Sequence, residues 1–269
     1  MGDPSIGLHE WLATPPGSYL LAWEQQQMDA VVGNAFGFHA LQLGLPEMDA
    51  LATNRMPHRW LATESPHPKA TFLTHFGALP FPDNSLDLVV MPHALELTTD
   101  PHAALREVER VLVPEGRVVI CGFNPMSLWG MRQQRGHLYR RFGLEQMFLP
   151  KSGEFIGYLR MRDWLRLLGL EIESGEFGCY RPALASEKLL ARFAWMDRLG
   201  ARWWPILGAA YCLVAVKRVF STTLINPRWR PVIRLPTAPV TVANSAGNTR
   251  AKTANTLKEP ILTDAHELH

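Results

Sequence analysis

Residues 79–125, LPFPDNSLDLVVMPHALELTTDPHAALREVERVLVPEGRVVICGFNP, constrain the fold more than any other part of the chain. Phe81-Pro82-Asp83-Asn84-Ser85 supplies turn residues, and 86–91 (LDLVVM) is an apolar run of strand length. Asp100-Pro101 then marks a helix start, because Asp is a good N-cap and Pro suits the first helical position. Ala104, Leu105, Val108, Val111 and Leu112 recur at helical spacing, with Arg106, Glu107, Glu109 and Arg110 between them. Pro114-Glu115-Gly116 is expected to end that helix, and 117–122 (RVVICG) reads as a second buried strand. Strand, crossover helix and strand form a right-handed parallel unit, and such sheets carry ligand sites beyond the carboxyl ends of their strands.

Over about forty residues the order LPFPDNSLDLVV, His93-Ala94-Leu95-Glu96, DPHAALREVERVLVPEGRVVI and the following Gly-Phe resembles the class I S-adenosylmethionine-dependent methyltransferases, in particular the type 11 domain. The resemblance implies an α/β fold: a Rossmann-like, doubly wound, mostly parallel sheet whose last strand is antiparallel. It also implies S-adenosylmethionine as cofactor and a small-molecule or lipid-like acceptor.

The 269 residues suffice for one α/β domain with extensions, and 47% hydrophobic against 19% charged residues fits a chain with a substantial core. A net charge of +2 gives no general drive towards nucleic acid. Cys121, Cys179 and Cys212 are far apart and odd in number, which reads as buried free thiols. The histidines are scattered, and no Cys/His spacing typical of zinc occurs, so no metal site is expected. Met1 to Thr14 lacks a basic start followed by an apolar core, so the cytoplasm is the expected compartment. The longest apolar run, 203–216, is shorter than the roughly 20 residues of a spanning helix and is expected to be a buried strand.

Residues 1–17 read as a loosely held lead-in, and 18–32 as an amphipathic helix. Residues 38–44 and 58–64 read as the first two strands, and 70–74 as a short third. Only ten residues, 65–74, separate Glu64 from His75, so one helix of the usual fold is expected to be missing. A helix at 160–169 and alternation at 170–174 lead to a hairpin with a last strand near 209–218. The domain is thus expected over 18–221, with a proline-interrupted polar tail, disordered in character, over 222–269.

The family places a Gly-x-Gly-x-Gly turn and an acidic residue at the end of the first strand. Here Gly44 alone of those glycines is kept, Gln42 stands where the acid would be, and Pro46 cannot adopt a positive φ. The resemblance gives cofactor contacts to Gly44, to Glu64 as the carboxylate for the ribose hydroxyls, and to His75 and Phe76 beside adenine. Glu64 reads equally as a solvated strand-end acid, and His75-Phe76 as a plain turn. His93 is the candidate general base, since imidazole titrates near neutrality; an orienting role is the alternative.

Residues 124–151 mix Arg132, Arg135, Arg140, Arg141 and Lys151 with aromatic residues. The stretch reads as a basic amphipathic cap over an acceptor, as a peripheral membrane contact, or as an ordinary solvated helix. Against methyl transfer stands a non-catalytic reading, in which the altered glycine loop marks a fold kept for binding or assembly.

Overall fold

The computed structural model describes residues 7–140, 148–149 and 155–218. The element that the sequence marks most strongly forms in the order read, strand, helix and strand, with one boundary shifted. Strand β4 (Leu86–Pro92) is followed by the short helix α3 (Ala94–Leu97) and by α4 (Pro101–Val111). The Asp100 carboxylate accepts the Ala103 N–H at 2.9 Å, the N-cap bond its position calls for. Strand β5 (Leu112–Phe123) begins at once after α4, so Pro114-Glu115-Gly116 lies within the span of β5 rather than terminating the helix.

Strands β1 (His39–Leu43), β2 (His58–Thr63) and β3 (Phe72–Leu73) extend the sheet on one side of β4, and β6 (Leu170–Gly178) and β7 (Ala210–Lys217) on the other. The order is β3-β2-β1-β4-β5-β7-β6, with β7 antiparallel to β5 and to β6 and every other pairing parallel. No helix lies between β2 and β3, as the shortness of that segment requires, and none lies between β1 and β2. A cavity of about 490 Å³ lies over β1 and β2, bordered by Trp60, Arg59 and Lys69.

Alternation along the strands feeds two cores, one on each face. Ala40, Leu88, Val90, Val119 and Phe123 face one side, where helix α2 (Pro15–Val32) packs through Leu20, Met28 and Val32. Leu41, Val89, Met91, Val118 and Ile120 face the other, covered by α4 and by α6 (Tyr158–Leu167).

Two expectations are corrected at the N-terminus. Residues of the supposed loose lead-in form helix α1 (Leu8–Leu12), with Leu8, Trp11 and Leu12 buried and the Trp11 indole donating to Phe148 O at 2.7 Å. Helix α2 starts at Pro15, three residues before the predicted Ser18, because Thr14 serves as its N-cap. Gly17 makes this corner: any Cβ there would run into the backbone of Trp11 and Leu12. The apolar run 203–216 also divides. Ala210 onward is β7 and buried, whereas residues 203–207 are exposed. All three cysteines are buried and free, with Cys121 and Cys212 as register partners across β5 and β7. Among the described residues, no helix is long and apolar enough to cross a membrane. The tail, 222–269, and Arg141 and Lys151 of the predicted cap lie outside the described residues.

Candidate functional site

The carboxyl end of β1 delivers the chain into a left-handed corner. Gly44 has φ +74°, and Leu45 follows at φ +44°, before Pro46. A Cβ on Gly44 would find ordinary contact distances, 3.5 Å to Ala94 Cβ and 3.7 Å to Phe76 Cζ. Conformation rather than crowding therefore selects glycine at this position. The turn of the family with its further glycines is thus replaced by Gly44-Leu45-Pro46, in which Leu45 carries the second positive φ.

Gln42 explains how this loop is held. Its side chain is buried; Nε2 donates to Met48 O at 2.8 Å and Leu45 O at 3.0 Å and lies 3.2 Å from Gly44 O, while Oε1 accepts the Ala50 N–H at 3.0 Å. A carboxylate has no N–H to offer those carbonyls, so the amide is matched to this loop and an acid is not. The signal for this role was present in the sequence as one polar residue inside an apolar strand.

At the end of β2, Glu64 Oε1 accepts the Phe76 N–H at 3.0 Å. Its second oxygen has no partner among the described residues. This bond fixes the turn that follows β3 and buries the Phe76 ring, which is 2% exposed, against the Gly44 corner. Gly44, Leu45, Pro46, Thr63, Glu64 and Phe76 border one cavity of about 440 Å³, with Leu97 and His9 at its margin. That volume is within the usual range of small-ligand sites. His9 Nδ1 lies 2.6 Å from Glu47 Oε1, so α1 closes onto the β1 loop. His9 and Leu97 gave no sign in the sequence, since only the packing of α1 and α3 brings them here.

His75 and His93 do not border this cavity. His75 is exposed, with Nε2 3.9 Å from Glu64 Oε1 and Nδ1 accepting the Gly77 N–H. His93 follows β4 with φ +52° and is fully buried. Its Nδ1 lies 2.7 Å from Glu96 Oε2 and its Nε2 2.8 Å from Glu24 Oε1. Burial opposes a charge on the ring, but the two carboxylates outweigh it and push the imidazole pKa up to about 10. A ring protonated at both nitrogens has no lone pair with which to take a proton. Full burial, both ring nitrogens engaged by carboxylates and a place outside the cavity lining do not fit the expected general base at His93. Glu96 Oε1 also accepts the Phe123 N–H at 2.6 Å, so the cluster ties α2, the end of β4 and the end of β5 together behind the cavity.

The arginines predicted to cap the acceptor are partly used in packing. Helix α5 (Leu128–Arg140) buries Trp129, and Arg132 donates to Ala183 O and lies over the Phe148 ring.

Among solved structures, one chain of the complex between the Haloferax volcanii Trm112 methyltransferase activator and its methyltransferase superposes with TM-score 0.53 at 17% identity, over 78% of this chain and 96% of that one. A S-adenosylmethionine-dependent methyltransferase from Thermotoga maritima gives TM-score 0.52 at 15% identity, over 75% and 90%. The fold is that of the class I methyltransferases. A methyltransferase-domain family model matches residues 44–120 of this methyltransferase-fold chain, from the glycine corner to β5. Escherichia coli YafS, an uncharacterized protein, is 35% identical over 150 residues, 55% of each chain. A Shewanella ubiquinone/menaquinone biosynthesis C-methyltransferase, UbiE, is 38% identical over 79 residues, 29% of each. The matches thus span about half the length of the first relative and under a third of the second.

Proposed function

We propose that this chain transfers the methyl group of S-adenosylmethionine to a small or lipid-like acceptor. The observation that carries the reading is the meeting of Gly44, Glu64 and Phe76 around one cavity at the carboxyl edge of a class I methyltransferase sheet. When bound, S-adenosylmethionine supplies an electrophilic methyl group on sulfur. The residues present fit such a ligand. Glu64 offers an unpartnered carboxylate oxygen for the ribose hydroxyls, and Phe76 an apolar ring wall for adenine. The left-handed Gly44 corner forms one border of the cavity.

Chain groups then have two tasks: to orient the acceptor and to keep water out. Leu97 and His9 of α1, at the cavity margin, are placed for the second task. The buried charge cluster under His93 holds the segment that carries Ala94 and Leu97. No proton transfer by His93 enters this reading. An apolar acceptor is supported by the Shewanella relative, which is named for C-methylation in quinone biosynthesis.

The non-catalytic alternative draws on Pro46 and Met48, which stand where the family keeps glycines. Calorimetric titration with S-adenosylmethionine and S-adenosylhomocysteine separates the two. Micromolar binding of both is expected; absence of binding at millimolar ligand would leave the binding-module reading.

A further inference from the structure

Helix α8 (Trp195–Trp203) is amphipathic with its apolar face turned outward. Trp195, Leu199 and Trp203, spaced four apart, form one stripe, and they are 54%, 41% and 67% exposed. The face towards the protein is built from Asp197, which bonds Arg181, the Tyr19 hydroxyl and the Tyr180 N–H, and from Gly200, which abuts the Tyr180 ring. The chain then continues through Trp204, Pro205, Ile206 and Leu207, all exposed, before Gly208 and β7 are buried. Seven consecutive residues, 201–207, are exposed and make up the tip of this element. Asn124 Nδ2 bonds Ile206 O at 2.7 Å and Gly208 O at 2.9 Å, which seats the tip against the carboxyl end of β5. It therefore stands at the same edge of the sheet as the cavity.

The exposed charges within the stretch itself have one sign. Between residues 192 and 207 the single carboxylate is Asp197, which is turned inward and paired. Arg192, Arg198 and Arg202 are exposed and have no ion-pair partner among the described residues. Three indoles, branched aliphatic side chains and flanking arginines are the side chains that settle at a lipid-water boundary. The rings sit at headgroup depth, and the guanidinium groups meet anionic phosphates.

We propose that the α8 tip, Trp195 to Leu207, docks this protein on the surface of an anionic lipid bilayer. The proposal does not use the arginines of 124–151, of which Arg132 is already engaged within the fold. It does not depend on the methyl-transfer reading, because docking is measured without cofactor.

The test is co-sedimentation of the full chain with vesicles of phosphatidylcholine alone and of phosphatidylcholine mixed with phosphatidylglycerol. Quenching of tryptophan fluorescence by brominated acyl chains reports insertion. Binding to the mixed vesicles is expected, with quenching, and with affinity that falls as salt is raised. Trp203→Ser with Trp204→Ser should weaken binding about tenfold or more, and Arg198→Glu with Arg202→Glu should abolish the preference for anionic lipid. Both variants change exposed residues, so their melting curves should match the parent. No binding to the mixed vesicles overturns the proposal, as does equal binding by parent and both variants. A self-associated species in light scattering that the tryptophan variant disperses, without lipid binding, would assign the tip to a protein contact instead.

Discussion

His93 Nε2 lies 2.8 Å from Glu24 Oε1, a contact between the segment after β4 and a helix 69 residues earlier in the chain. With Glu96 on the other nitrogen, it makes an imidazolium held between two carboxylates at full burial. The remaining Glu24 oxygen has no hydrogen-bond partner, so the cluster depends on the ring proton to offset its negative charge. Such a group specifies geometry more than it adds net stability, because desolvation consumes much of the Coulomb gain.

Removing the ring leaves two buried carboxylates facing each other. His93→Gln should therefore lose on the order of 3–5 kcal/mol in denaturant unfolding near pH 6. The pH dependence has a definite sign. The folded pKa, about 10, is above the unfolded 6.5. The stabilisation from this ring is complete below about pH 6.5 and is lost as pH rises through 10. The stability gap between parent and variant should shrink across that window. A gap independent of pH would show that the ring is not protonated in the fold.

Gln42 gives a second prediction. Its amide donates to loop carbonyls that a carboxylate would repel. Gln42→Glu should cost about 1–3 kcal/mol in stability and weaken S-adenosylmethionine binding, since the loop bordering the cavity loses its internal staple. Restoration of the acidic residue common in the family, taken alone, should not improve binding. An increase in calorimetric affinity would refute the account of Gln42 as a loop staple.

Sequence legibility followed the range of the interactions concerned. The Asp100 cap, the α4 periodicity and the β4 and β5 runs depend on residues a few positions apart, and all are seen in the fold. Gly44 was readable because a strand end before a turn favours positive φ. The roles of Glu24 and His9 were not readable, since each acquires its partner only when α1 and α2 pack on the sheet. Helix α8 was not read from the sequence, and nothing local shows which of its faces points outward. Asp197 decides that orientation by bonding groups on α2 and after β6.

Trp11 tests whether α1 is part of the domain. The ring is 4% exposed, packs edge-on against Phe123 and Trp129, and its N–H is satisfied by Phe148 O. Trp11→Ala should destabilise the fold by about 3–5 kcal/mol, the cost of a large buried aromatic. A loss within about 0.5 kcal/mol, as for a surface change, would return these residues to the status of a loose lead-in.

Glu64 separates a ligand contact from a purely structural one. Glu64→Gln keeps an acceptor for the Phe76 N–H but removes the charge, whereas Glu64→Ala removes both. If the unpartnered oxygen holds ribose hydroxyls, Glu64→Ala should weaken S-adenosylmethionine binding by about 1–3 kcal/mol, and Glu64→Gln should fall between it and the parent. Charge is central to this order, because a carboxylate accepts from two hydroxyls at once, whereas an amide oxygen competes with its own N–H groups for orientation. Titration of all three proteins, with melting curves taken alongside, provides the measurement. Equal affinities would place Glu64 outside the site, and a loss of melting temperature that tracks the loss of affinity would assign it to the Phe76 turn alone.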